Sequence, residues 1–154
     1  MLMRDGHLLA TETPDGLRAR TGQQDLEDAF LALINDYRAA NGRGPLSHNP
    51  QLGAAAENHS HDQARNNYLG HTGSDGSSIE QRIQRAGYAD PRAWGENVAA
   101  GYPTASDAFQ GWKTSPGHDA NMLGAQFTEI GIGRAYDAGS RYGWYWTTTF
   151  GARG

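Results

Sequence analysis

The sequence predicts an α+β fold, and three observations carry that reading. Apolar residues recur at helical spacing in several stretches ahead of residue 115. From Ile130 onward the pattern changes to β-branched and aromatic runs. Capping residues, glycines and prolines mark off one stretch from the next.

Residues 1–24 are polar and aperiodic, with Pro14 among them, and are expected to form a flexible tail ahead of one domain over 25–154. Asp25 is expected to cap a first helix, whose Phe30, Leu33, Ile34 and Tyr37 fall at i, i+3, i+4 and i+7. Gly42-Arg43-Gly44-Pro45 stops it. Asn49-Pro50 opens a second helix, with Asn as cap and Pro at the first position. Its apolar stripe holds Leu52, Ala55, Ala56, His59, Gln63 and Ala64, and it ends before Gly70. A third helix runs from Ser77 or Ser78 through Ile79, Ile83 and Ala86 to a stop at Gly87. Residues 95–101 read as a loop followed by a short apolar segment. A fourth helix begins after Thr104 or Ser106, places Ala105, Ala108, Phe109 and Trp112 on one face, and ends at Ser115-Pro116-Gly117. One more helical turn fits residues 118–123. Residues 130–136 and 144–150 read as two strands of a hairpin joined through Asp137-Ala138-Gly139-Ser140.

A chain of 154 residues is long enough to bury a core, and four Trp, seven Tyr and four Phe supply large side chains for it. A net charge of -4 argues against a nucleic-acid partner, which needs a basic face. With no cysteine, disulfides, thiolate metal sites and thiol nucleophiles are excluded. No stretch approaches the roughly 20 apolar residues of a membrane span. The first residues lack the apolar run of a secretory signal, so no signal peptide is visible; retention, another export route and a trimmed chain all stay open.

Three glycine-rich segments carry the chemistry: Gly70-His71-Thr72-Gly73, Gly95-Glu96-Asn97 and Ser115-Pro116-Gly117-His118. Each polar side chain sits at a helix boundary, where a turn can project it into a cleft. If they converge, the result is a His-Glu-His site able to hold a divalent cation or move protons. Taken singly, His71 and His118 read as surface loop histidines, and Glu96 equally as a helix-start carboxylate. His7 and His48 read as solvent-facing, His61 as exposed, and His59 as a satisfied core histidine. Ser115 and His118 invite a Ser-His dyad, but Ser-Pro-Gly is ordinary stop chemistry and no G-x-S-x-G elbow is present. Trp94, Trp112, Trp144 and Trp146 read mostly as core rather than as a sugar or lipid groove.

In order, these segments resemble the CAP superfamily of cysteine-rich secretory proteins, antigen five and pathogenesis-related proteins, also called the SCP domain. The matching pieces are Asn35-Asp36-Tyr37-Arg38, the stretch from Leu52 to Ala64, Gly70-His71-Thr72, Gly95-Glu96-Asn97-Val98-Ala99, and Trp112-Lys113-Thr114-Ser115-Pro116-Gly117-His118. Phe127-Thr128-Glu129-Ile130-Gly131-Ile132-Gly133 and Tyr145-Trp146-Thr147-Thr148-Thr149-Phe150-Gly151 complete the set. The likeness spans about residues 27–151 and is nearest the compact, disulfide-free bacterial branch.

The resemblance implies an α-β-α sandwich with a central antiparallel sheet and an open cleft. It also implies a His-Glu-Glu-His tetrad that in several members holds zinc or another divalent ion. Here His71, Glu96 and His118 match three members of that tetrad, while Ser115 stands where the second glutamate is expected. The metal ligands implied are His71 and His118, with Glu96 as a third candidate, and Glu80 or Glu129 as replacements for the missing carboxylate. The resemblance further implies an extracellular or cell-envelope monomer. Its cleft would bind a small molecule, a lipid or sterol, or an envelope ligand. A metal-dependent hydrolase using the same residues is the alternative.

Overall fold

The computed structural model describes residues 14–153 and the two-residue strands β1 (Met3–Arg4) and β2 (His7–Leu8), with side chains from residue 24 onward. The remaining residues of the expected tail, and the side chain of His7, lie outside the described residues. Helix α1 spans Pro14–Ala40, so it starts eleven positions ahead of the expected Asp25 cap. Proline is preorganised for the first helical position, and Leu17, Arg18, Ala19 and Arg20 are good helix formers. Too few apolar residues stand in this segment for their period to reveal the helix.

After α1 come β3 (Ser47–His48), α2 (Pro50–Asn66), α3 (Ile79–Arg85), β4 (Pro91–Ala100), α4 (Ala105–Lys113), α5 (Pro116–Met122), β5 (Glu129–Tyr136) and β6 (Trp144–Arg153). The expected caps form: Asn49 accepts from the Leu52 N–H, Ser78 and Gln81 make a reciprocal capping box, and Thr104 accepts from the Asp107 N–H.

The sheet order is β3-β5-β6-β4. β5 and β4 each pair antiparallel with β6, but β3 runs parallel to β5, so the sheet is mixed rather than wholly antiparallel. The segment read as a loop before an apolar stretch is part of β4, paired with β6 along its length. Its burial does not alternate in hydrophobicity, because buried Glu96 and Asn97 stand beside Val98 and Ala99.

Helices cover both faces. On one, Phe30 and Ile34 of α1 and Phe109 and Trp112 of α4 pack against Ile130, Ile132, Trp146 and Phe150. Trp112 satisfies its indole N–H on the Val98 carbonyl, 3.1 Å away. On the other, α2 rests on the sheet itself: a Cβ at Gly131 would stand 2.0 Å from the Leu52 carbonyl carbon, and one at Gly133 2.4 Å from that of Ala56. α3 joins this layer, with Ile83 packed against Leu52, Ala55 and Tyr88. Arg38, fully buried in α1, donates to the carbonyls of Gly44, Met122 and Gly124, and burial lowers its pKa. It thereby ties α1 to the end of α5 and the turn that follows it. Of the four tryptophans, Trp112 and Trp146 are core residues, Trp144 is half-buried beneath the Arg134 guanidinium, and Trp94 is 39% exposed.

Candidate functional site

The turn between α2 and α3 presents His71, and it is pinned on both sides. Asn67 ends α2 in the left-handed conformation at φ 56°. The Gly70 N–H donates to Gln63 Oε1 at 2.9 Å, and the Gly70 carbonyl accepts from His59 Nε2 at 2.7 Å. Beyond His71, Ser74 is held by Asp62 through its N–H and its hydroxyl. The His71 ring therefore projects from a fixed backbone while its side chain remains half in solvent.

Glu96 meets it from β4. His71 Nδ1 lies 2.9 Å from Glu96 Oε1, and Arg82 Nη2 donates to Glu96 Oε2 at 2.7 Å. The Arg82 and Glu96 side chains are 9% and 2% exposed, so this is a buried ion pair. A carboxylate can only accept, so Nδ1 of His71 carries the proton, which in the neutral imidazole leaves Nε2 as the acceptor. His59 Nε2 stands 3.7 Å from Glu96 Oε1, beyond hydrogen-bond range, because it donates to Gly70 instead.

His118 comes from α5, which is fastened to β4 by two asparagines. Asn97 donates to the His118 carbonyl at 3.0 Å, and Asn121 donates to Asn97 Oδ1 at 2.9 Å and to the Glu96 carbonyl at 3.2 Å. The His118 ring stacks on Trp112, and its Nδ1 lies 2.9 Å from Ser115 Oγ. Its pKa is lowered, first by burial and then by the charge that His71 can carry. His59 is likewise lowered, mainly by burial.

The sequence reading needs four adjustments here. Ser115 and His118, set aside as a dyad, are hydrogen-bonded, because Ser115 caps α5 without giving its side chain to a backbone N–H. His59 is buried as expected but only half satisfied, since its Nδ1 has no partner. Glu129 is engaged by Tyr88, Arg153 and Asn49, which removes it as a substitute tetrad carboxylate. Glu80 sits in the first turn of α3, outside the Arg82–Glu96–His71 cluster. His48 is partly exposed near Glu27, and His61 is exposed beside Glu57.

Arg82 is the site residue that the sequence reading missed. The signal was present: Ile79, Arg82, Ile83 and Ala86 fall at i, i+3, i+4 and i+7, which puts a guanidinium on the buried stripe of α3. An arginine there needs a buried anion, and Glu96 supplies it.

The donor set for a metal is narrow. Both Glu96 oxygens are engaged, leaving the Nε2 atoms of His71 and His118, and no group of three His, Asp or Glu among the described residues is arranged to hold an ion. Catalytic zinc sites use three protein ligands, so these residues do not fit such a centre.

A family model described as the cysteine-rich secretory protein family, CAP, matches residues 31–150. The uncharacterized membrane protein YlbC of Bacillus subtilis is 29% identical over 83% of this chain and 37% of its own length. The uncharacterized protein YkwD of the same bacterium is 32% identical over 80% of this chain and 46% of its own length. This chain thus spans less than half the length of these curated relatives. A crystal structure of an extracellular protein containing an SCP domain from Bacillus anthracis matches with a TM-score of 0.77 at 30% identity, covering 92% of this chain and 44% of that one.

Proposed function

Because the chain belongs to the CAP family, with residues 31–150 forming the matched domain, we propose that it is a non-enzymatic ligand-binding domain working outside the cell. The histidines 71 and 118 are its contact groups, and Glu96 and Arg82 are its frame. One observation carries this reading: Glu96 has Oε1 committed to His71 and Oε2 to buried Arg82. To act as a general base it would have to leave an ion pair in a site with little water to replace it. Held in place, it does different work. It fixes the His71 tautomer so that Nε2 offers a lone pair to a ligand's hydrogen-bond donor. His118, whose pKa burial lowers, offers a second imidazole from α5. The extracellular placement rests on likeness to the Bacillus anthracis protein, which is an extracellular one.

A divalent cation bound weakly by one or both imidazoles, with waters completing its shell and not as a three-ligand catalytic centre, is a second reading. A ligating histidine usually donates its other ring N–H to a carboxylate, as His71 does to Glu96. Such an ion would lend positive charge to the recognition of an anionic or carbonyl-bearing ligand.

The test is retention against turnover. The chain is incubated with a mixture of small molecules from growth medium, and wild type, His71→Ala and His118→Ala are compared by native mass spectrometry. Retained mass that is lost in both variants supports the proposal. Hydrolysis of an ester, peptide or glycan substrate that vanishes in His71→Ala overturns it.

A further inference from the structure

The end of the sheet where β5 turns into β6 carries an uneven share of the exposed apolar surface. Four large apolar side chains are exposed among the described residues: Leu69, Trp94, Tyr136 and Tyr142. All but Trp94 are more than two-fifths exposed, and these three belong to two turns that touch. Leu69 lies in the turn after α2, while Tyr136 ends β5 and Tyr142 follows in the turn before β6. The Arg141 N–H donates to Asn67 Oδ1 at 2.7 Å and holds the two turns together. Tyr136 rests on half-buried Trp144, with ring centroids 4.6 Å apart. The hairpin turn is braced from within, because the Asp137 N–H donates to the Gly143 carbonyl at 2.8 Å and the Ser140 hydroxyl donates to the Asp137 carbonyl at 2.7 Å.

Charge is reversed here as well. The chain carries a net charge of -4, yet residues 65–69 and 134–146 hold Arg65, Arg134 and Arg141 against one carboxylate, Asp137. Asp137 spends Oδ1 on the Gly139 N–H. Arg65 and Arg141 are exposed. The Arg141 guanidinium stands over the Tyr142 ring, 5.3 Å from its centroid, and that of Arg134 over Trp144 at 4.7 Å.

We propose that this end of the domain docks on the surface of an anionic lipid bilayer. The exposed groups come from the tips of two turns rather than from the walls of a cleft, which suits a flat partner. Tyrosine and tryptophan rings settle at the headgroup level of a membrane, and arginines are drawn to its negative surface. Leu69 adds an aliphatic group for the acyl boundary. A soluble polyanion would use the arginines but gain nothing from Leu69. The surface does not rest on the ligand proposed for the histidine cluster.

Vesicles of phosphatidylglycerol and phosphatidylcholine in equal parts are the probe, with pure phosphatidylcholine as the comparison. Binding of the full chain is read by co-sedimentation at low and high salt. Saturable binding to the anionic vesicles is expected, weakened by salt. Arg141→Gln should weaken it about fivefold, the effect of one arginine near such a surface. Leu69→Ser combined with Tyr142→Ser should abolish it, with the melting temperature held because both positions are exposed. Trp94→Ser should bind as wild type: Trp94 pairs with Gly151, near the far end of β6 from Trp144 and about 24 Å away at roughly 3.4 Å per residue. The proposal is overturned if the chain does not sediment with the anionic vesicles, or sediments equally with pure phosphatidylcholine. It is equally overturned if Trp94→Ser loses binding as the turn variants do. A polyanion site replaces it if polyphosphate binds the chain and the Leu69→Ser, Tyr142→Ser double variant still binds vesicles as wild type. A second copy replaces it if size exclusion shows a dimer that Tyr142→Ser dissociates, with no vesicle binding.

Discussion

Replacing Arg82 by methionine keeps the unbranched stem of the side chain and removes its guanidinium. Two hydrogen bonds go with it, one to the Ser77 carbonyl at 3.0 Å and one to Glu96 at 2.7 Å. The larger consequence falls on Glu96, whose side chain is 2% exposed and would keep a charge with only His71 to meet it. Breaking a buried pair by removing one partner costs about 3–5 kcal/mol. For a domain of this size each kcal/mol shifts the melting temperature by about 2–4 °C, so a drop of about 6–20 °C is expected. Thermal melting and urea unfolding measure it, and an unchanged urea slope would show that the native state keeps its compactness. Glu96→Gln in the Arg82→Met background removes the stranded charge and should recover part of the loss. A loss below about 1 kcal/mol, or no recovery in the double variant, would refute the claim that Arg82 exists to neutralise Glu96.

Two further outcomes follow from the same geometry. Burial lowers the pKa of His59 and His118, so the unfolded chain binds more protons than the folded one as pH falls below about 6.5. The stability these neutral histidines preserve is fully present above that value and is lost on acidification. Melting temperature should therefore fall between pH 7 and pH 5, with a shallower slope in His118→Gln; an equal slope would contradict the assignment. Ser115→Glu would put a carboxylate next to His118, and Zn²⁺ affinity measured by calorimetry should rise about tenfold or more. Unchanged affinity would show that His118 is not placed to ligate.

The helices were legible because their apolar residues keep one period and their caps are explicit, as at Asn49 and Ser78. The histidine segments stood out because glycines and helix stops isolate them, whereas Glu96, expected at a helix boundary, lies within strand β4. Strand β4 was hidden because the side chains it buries include Glu96 and Asn97, whose partners are Arg82 and Asn121, far along the chain. No local pattern announces a buried polar residue whose partner is remote. The parallel pairing of β3 with β5 was hidden for a related reason: two residues are too short to show a period. The start of α1 at Pro14 was lost to the scarcity of apolar residues before Leu26.

The close seat of α2 on β5 reaches further than packing. Gly131 and Gly133 remove the side chains that would otherwise hold the helix off the strand, and α2 carries His59 and Gln63, both of which grip Gly70 next to His71. The height of the helix above the sheet therefore sets the height of the histidine turn above Glu96 on the same sheet. A methyl group added to β5 would act as a shim: it would lift the helix, draw the turn with it, and lengthen the His71–Glu96 contact from two strands away. The gap between histidine and carboxylate is thus gauged by two residues that touch neither.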